Sequence, residues 1–259
     1  MKHLILALIL PLCIWAEDKV KIDASADRIL KDYYKAIGGE KLKDLKSMHT
    51  KGTIKNEMGL NGTIQQINKA PNKFYLKLTI DNLGNLIKGY DGETAWSDDF
   101  MGLRKLSTEE LEAGKIMSVG IEELDKFKAH FESIKYLGKT IFNNISVDKL
   151  ELKNKGIKNV LYFYFDRKTK YLLKQEVTVT TAIGQGKITS VFSDYRELKE
   201  IAIKLPYKMN LRMANADFDV TMNSIKVNVE IDDAIFKMPK ADLPPPKKET
   251  EPDKPAEKK

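Results

Sequence analysis

The residues able to do acid–base or metal chemistry near neutral pH are few: three histidines, His3, His49 and His130, and a single cysteine, Cys13. Neither His49 nor His130 lies in an H-E-x-x-H or comparable cluster, so a histidine-rich metal site is excluded. His49 falls opposite Met48 in an alternating stretch and His130 stands beside Phe131 in a helical pattern; both read as structural residues rather than general bases. Asp98-Asp99 and Asp232-Asp233 are adjacent pairs, and neighbours on a strand point to opposite faces, so neither pair aims two carboxylates at one point. Neither segment carries the looped oxygen ligands of a calcium site. Gly184-Gln185-Gly186 reads as a hairpin turn rather than a phosphate cradle. No catalytic residue, metal ligand or cofactor is expected, although carboxylates distant in sequence could still converge, which leaves hydrolysis as an alternative.

The start of the chain explains the isolated thiol. Met1-Lys2-His3 precedes LILALILPLCIWA, an apolar run of about 20 Å as a helix, too short to cross a bilayer core. With Ala16 ending the run and Glu17-Asp18-Lys19 following, residues 1–16 read as a secretory signal peptide and the protein as exported. Leu12 is too large for the residue before a lipidated cysteine, so an anchor through Cys13 is disfavoured. After cleavage no cysteine remains, which excludes disulfides and thiolate chemistry.

Over 259 residues the formal charge is +7, and hydrophobic residues make up 42% of the chain. That is apolar enough for a core and too apolar for a disordered chain. Basic and acidic residues alternate closely (KNKGIKN, EELDKF), and no nucleic-acid-binding module is present, so nucleic acid is not an expected partner. From Lys240 the sequence is proline and alternating charge, the composition of an extended tail. The expected division is 1–16 signal peptide, 17–239 folded domain and 240–259 disordered tail, the whole a monomer.

Between leader and tail, hydrophobic periodicity sets the elements. Ile22, Ala26, Ile29, Leu30, Tyr33, Tyr34 and Ile37 form one helical stripe, which Gly38-Gly39 ends. The period then falls to two: Met48, Thr50, Gly52 and Ile54 share a face, a second strand covers 60–68, and Phe74, Leu76, Leu78 and Ile80 line a third. Strands 86–90 and 93–97 meet across Asp91-Gly92. Ser107 and Glu110 resemble a capping box, and Leu124, Phe127, Phe131 and Ile134 keep helical spacing, so 107–135 reads as two helices broken near Gly120. Strands are expected at 145–153, 158–166, 170–180, 187–195, 204–213 and 219–229. In 160–165 the run VLYFYF is apolar on both faces, which calls for cover on both sides by a helix or a ligand. The fold class expected is α+β: a strongly curved antiparallel sheet of about eleven strands with helices over its concave face, which the resemblance described next makes an unclosed half-barrel.

Five segments carry a family resemblance: IGGEKLKDLKSMHTKG (37–52), KAPNKFYLKLTI (69–80), IKGYDGETAW (87–96), FSDYRELKEIAIKLPYKMNL (192–211) and SIKVNVEIDDAIFKMP (224–239). Together they resemble bacterial outer-membrane lipoprotein-sorting proteins of the periplasmic carrier superfamily. The resemblance implies a half-open barrel holding acyl chains under helical lids, a lipid or lipoprotein acyl chain as partner, and contact with a membrane or envelope protein. It assigns no transporter-contacting residue to this sequence. The apolar strand residues proposed to line the cavity are Ile54, Ile64, Phe74, Leu76, Leu78, Trp96, Phe163, Phe165, Val191, Met209 and Leu211, with Phe100, Met101 and Leu103 as a rim. An envelope protein-interaction or stress-sensing module is the alternative that uses the same fold.

Overall fold

The computed structural model describes residues 20–107, 110, 124–155, 160–181, 184–213 and 216–240. The expected signal peptide, most of the expected lid and most of the expected tail lie outside these residues. Helix α1 (Ala24–Ile37) follows the predicted stripe, burying Ala26, Ile29, Leu30 and Ile37. Its N-cap residue, Asp23, leaves the helix uncapped by its side chain and accepts instead from the backbone N–H of Tyr136 at 2.9 Å. Gly38, at φ +136°, ends the helix where a Cβ would lie 2.7 Å from the Ile203 side chain. A 3₁₀ turn, Gly39–Asp44, carries the chain to the sheet.

The strands are β1 (Lys21–Ile22), β2 (Ser47–Asn56), β3 (Asn61–Lys69), β4 (Lys73–Ile80), β5 (Gly84–Tyr90), β6 (Ala95–Asp99), β7 (Gly102–Lys105), β8 (Phe131–Phe142), β9 (Ile145–Asn154), β10 (Val160–Asp166), β11 (Leu172–Thr181), β12 (Gly184–Leu198), β13 (Ile203–Met213) and β14 (Ala216–Val227). They form one 14-stranded sheet in the order β1-β8-β9-β10-β11-β12-β13-β14-β2-β3-β4-β5-β6-β7. β1 runs parallel to β8 and every other pair is antiparallel.

This corrects the expected architecture. The sheet is mixed, has 14 strands rather than about eleven, and runs from one free edge to the other without closing or curling strongly into a half-barrel. The physical reason lies at the edges. The chain adds β8 and β1 beyond β9 at one edge and β7 beyond β6 at the other, so the sheet lengthens at both ends instead of bending back on itself. β8 begins at Phe131, inside the stretch predicted as helix; only Leu124–Ala129 of that stretch is a described helix besides Glu110. The capping box is present, with the Ser107 N–H donating to the Glu110 carboxylate at 2.9 Å and the Glu110 N–H to Ser107 Oγ at 3.2 Å.

The main core lies between α1, the short helix 124–129 and the β8–β12 part of the sheet. Leu30 and Ala26 meet Phe131, Ile134, Leu150, Leu152, Leu161, Phe163 and Phe165 there. Lys128 of the short helix is tied to Asp27 of α1 at 2.5 Å. A second cluster joins Ile37 and Leu42 to Met48, Leu198, Ile203 and Leu205.

β10 shows how its double apolar character is satisfied. Leu161, Phe163 and Phe165 enter the helix-covered core. On the other face no helix and no ligand is needed. Tyr164 is buried against Phe142, at 6.5 Å between ring centroids, and donates its hydroxyl to Glu176 at 2.6 Å. Lys174 and Lys187 hold the second Glu176 oxygen at 2.9 and 2.7 Å, and Lys174 also lies 4.8 Å from the Tyr164 ring centroid.

Candidate apolar binding face

Directly paired residues on neighbouring strands project to the same side of a sheet, so the registers assign every candidate to a face. Ile54 pairs with Gly62, Gly62 with Ile80, and Ile64 with Leu78. Gln66 pairs with Leu76 and Asn68 with Phe74. Across β14, Ile54 pairs with Val220, Val220 with Met209, and Phe218 with Leu211. Further on, Leu211 pairs with Ser190, Ser190 with Gln175 and Gln175 with Phe163. Ile54, Ile64, Phe74, Leu76, Leu78, Phe163, Phe165, Met209 and Leu211 therefore share one side, the side on which α1 lies.

Trp96 and Val191 project from the other side. Trp96 pairs with Gly89, which pairs with Tyr75, and so points away from Leu76. It is 2% exposed and lies over Gly89, where an added Cβ would be 2.3 Å from the ring. Its indole N–H donates to the Phe236 carbonyl at 2.8 Å, fastening the closing segment to the back of the sheet. Val191 pairs with Lys174 and Asn210; its neighbour Phe192, paired with Met209, takes the helix-bearing side.

Of the nine that share a side, Ile54 is buried, and the other eight divide into two groups. Phe163 and Phe165 are sealed by aromatic contacts, with Phe127 at 6.2 Å from Phe163 and Tyr33 at 5.2 Å from Phe165. Beyond the helices, Ile64, Phe74, Leu76, Leu78, Met209 and Leu211 are half-buried. The same registers add residues that the sequence analysis did not propose as lining: Ile80, Leu86, Phe192, Phe218 and Met222, all half-buried. Ile80 was legible, since it continues the alternation of Leu76 and Leu78, whereas Leu86 stands beside Ile87 and only its pairing with Leu78 assigns it.

Two glycines shape this face. Gly52, paired with Ile64, has the Ile64 methyl 3.2 Å from where its Cβ would be. At Gly62, paired with Ile54, the corresponding distance to the Ile54 methyl is also 3.2 Å. Each isoleucine lies across its partner glycine, so the centre of the face is low and greasy rather than studded. Polar groups border it: Gln66 donates to Asn68 at 2.9 Å, Lys88 is exposed on β5, and Arg104 on β7 is forked onto Glu110 at 3.1 and 3.0 Å.

The rim candidates also separate. Phe100 and Met101 form the tip of the β6–β7 turn and are 94% and 68% exposed. Leu103 pairs with Asp98 and belongs to the opposite side, half-buried.

The titratable candidates are occupied with structure. His49 meets Gln65 at 2.9 Å, and burial together with Lys51 and Lys226 holds its pKa below the ordinary value. Asp99 accepts from Ser97 Oγ and the Met101 N–H. Asp232 caps the turn at Ala234, and Asp233 pairs with Lys69 and Lys73 at 2.7 and 2.6 Å. Gly184–Gly186 lies within β12, paired with Thr181–Val179, rather than in the turn itself. Among the described residues no group of three or more His, Cys, Asp or Glu could hold a metal ion.

No family model and no curated protein matches the sequence. Solved structures match its fold. A DUF1329 family protein from Desulfovibrio piger is 11% identical, with a TM-score of 0.55 over 82% of this chain and 97% of that one. A LolA superfamily protein from Nitrosomonas europaea is 12% identical, with a TM-score of 0.54 over 82% and 97%. A putative outer membrane lipoprotein-sorting protein domain from Vibrio parahaemolyticus is 12% identical, with a TM-score of 0.52 over 82% and 96%. Nearly the whole of each of these chains is matched, and the protein described here shares their fold.

Proposed function

We propose that the chain is an exported, periplasmic, non-enzymatic binding protein whose residues 17–239 hold the acyl chain of a lipid or lipoprotein. The binding surface is the part of the helix-bearing face that α1 and the short helix leave uncovered. The observation that carries this reading is the contiguous set Ile64, Leu76, Leu78, Ile80 and Leu86 on β3–β5, half-buried, with no charged side chain among them. Apolar surface held at a sheet face without a core partner among the described residues is the composition of a binding site. The shared fold with the Vibrio parahaemolyticus lipoprotein-sorting domain supports the same cargo class.

The physics suffices without covalent chemistry. At about 0.8 kcal/mol per buried CH₂, a sixteen-carbon chain gains about 12 kcal/mol before ordering costs. Leu76→Lys tests the reading, because it places a second charge beside Lys88 on the row next to Ile64, Leu78 and Leu86. Lipid retained through purification and quantified after extraction should fall to background in this variant while secondary structure is kept. Unchanged retention would remove the face from the function. Saturable peptide binding by protein that retains no lipid would favour the protein-interaction alternative.

A further inference from the structure

Four of the most exposed large apolar side chains gather at one end of the sheet. Met58 is 72% exposed in the β2–β3 turn, Leu83 69% in the β4–β5 turn, and Phe100 and Met101 94% and 68% in the β6–β7 turn. β2, β4 and β6 all run towards this end, so three consecutive hairpin tips emerge there. With neighbouring strands about 4.8 Å apart, successive tips stand about 10 Å apart in the sheet. The registers step them back along the strands, so they follow one oblique border.

These are built displays. In the first turn Asn56 exchanges backbone bonds with Leu60 and Gly59, its side chain accepts from the Leu60 N–H at 2.9 Å, and Gly59 takes φ +84°. In the second the Leu83 N–H donates to the Ile80 carbonyl at 3.1 Å, with Asn82 at φ 64° and Gly84 at φ 91°. In the third Asp99 accepts from the Met101 N–H at 2.9 Å and Gly102 takes φ +85°. Each turn has the left-handed residue its geometry requires, yet each gives its tip to Met, Leu or Phe where turns ordinarily carry polar residues.

We infer that this end of the molecule docks on a lipid bilayer with electrically neutral headgroups, inserting Met58, Leu83, Phe100 and Met101 to the acyl boundary. A bilayer fits the arrangement better than a protein groove, because the apolar side chains stand on separate tips with polar residues between them (Asn56, Asn61, Asp81, Asn82, Asn85). Separate anchors can each enter a fluid interface, whereas a groove needs one continuous ridge. The charges select the lipid. Glu57, Asp81, Asp98 and Asp99 outnumber Lys55, Arg104 and Lys105 beside the tips, and they still do, three to two, once Arg104 and Asp99 are set aside as a pair. Anionic lipid therefore gains nothing here. This inference goes beyond the cargo reading and rests on different residues, although Ile80 and Leu86 extend the apolar face up to the Leu83 tip.

The test is co-sedimentation of the exported chain, beginning at Glu17, with phosphatidylcholine vesicles. The wild type should partition onto them. Phe100→Ser/Met101→Ser should weaken partition about tenfold, and adding Met58→Ser/Leu83→Ser should abolish it, without changing the thermal midpoint. Added phosphatidylglycerol should not strengthen binding. Phe100→Trp should shift its emission to the blue on meeting vesicles. Leu76→Lys should dock like the wild type, so loss of cargo and loss of docking are separable. Wild type left in the supernatant, tip variants that bind normally, an unshifted Phe100→Trp, docking lost with Leu76→Lys, or binding that appears only with phosphatidylglycerol would each overturn the inference.

Discussion

Single residues in this protein act through what lies directly against them. Gly89 is required by the indole of Trp96, which occupies the space a methyl group would need. Gly89→Ala should cost about 1–3 kcal/mol, the usual range for forcing extra volume into packed structure, read from urea unfolding. In protein prepared from Glu17 onward Trp96 is the single tryptophan, so its emission, expected to be blue, reports the site directly. Glu176 is the clearest electrostatic case. Burial pushes its carboxyl up, but hydrogen bonds from Lys187, Tyr164 and Lys174 outweigh that and hold it at about 2. A carboxylate depressed in the folded state contributes stability above its unfolded pKa and loses it as pH falls towards the folded value. Stability should therefore decline from about pH 4.5 down to about pH 2 in part through this group. Glu176→Gln should be destabilised by about 1.5–3 kcal/mol at pH 7 and show a flatter acid limb in denaturation at graded pH.

At the scale of elements, α1 is the part of the structure most fully legible in the sequence. Its stripe and its Gly38 stop both appear where the spacing puts them, and Leu30→Ala should cost about 2–5 kcal/mol by opening a cavity over Ile134 and Leu161. β3–β5 were legible for a related reason: Phe74, Leu76, Leu78 and Ile80 alternate without interruption, which fixes the face. Trp96 was assigned to the wrong side because Ala95, Trp96 and Ser97 are all buried, so β6 offers no alternation to read. Val191-Phe192 poses the same problem, since two adjacent apolar residues fit either parity and only pairing with β13 decides. β8 was hidden by coincidence: Phe127, Phe131 and Ile134 fit helical spacing, and register shifts at Phe131/Ser133 and Tyr136/Gly138 blur its strand period. The Met58 and Leu83 tips did leave a signal, an apolar residue inside an otherwise polar turn, which periodicity does not weigh.

For the whole molecule, the expectation that a sheet of many strands must curl is where sequence reasoning failed. Strand number was inferred from turns, curvature from strand number, and the second step does not follow when the chain can extend both edges. What survives is the segregation of the apolar surface: one side of the sheet carries α1 over β8–β12 and half-buried apolar residues on β3–β5, while polar and aromatic pairs satisfy the other side. On the proposed function, that division is what offers cargo an apolar surface on β3–β5. Native mass spectrometry of the protein purified gently from envelope extracts tests it most directly. The account predicts a reproducible added mass in the range of a phospholipid, glycolipid or lipoprotein, absent from Leu76→Lys; wild-type protein that appears only at the mass of its bare chain would contradict it.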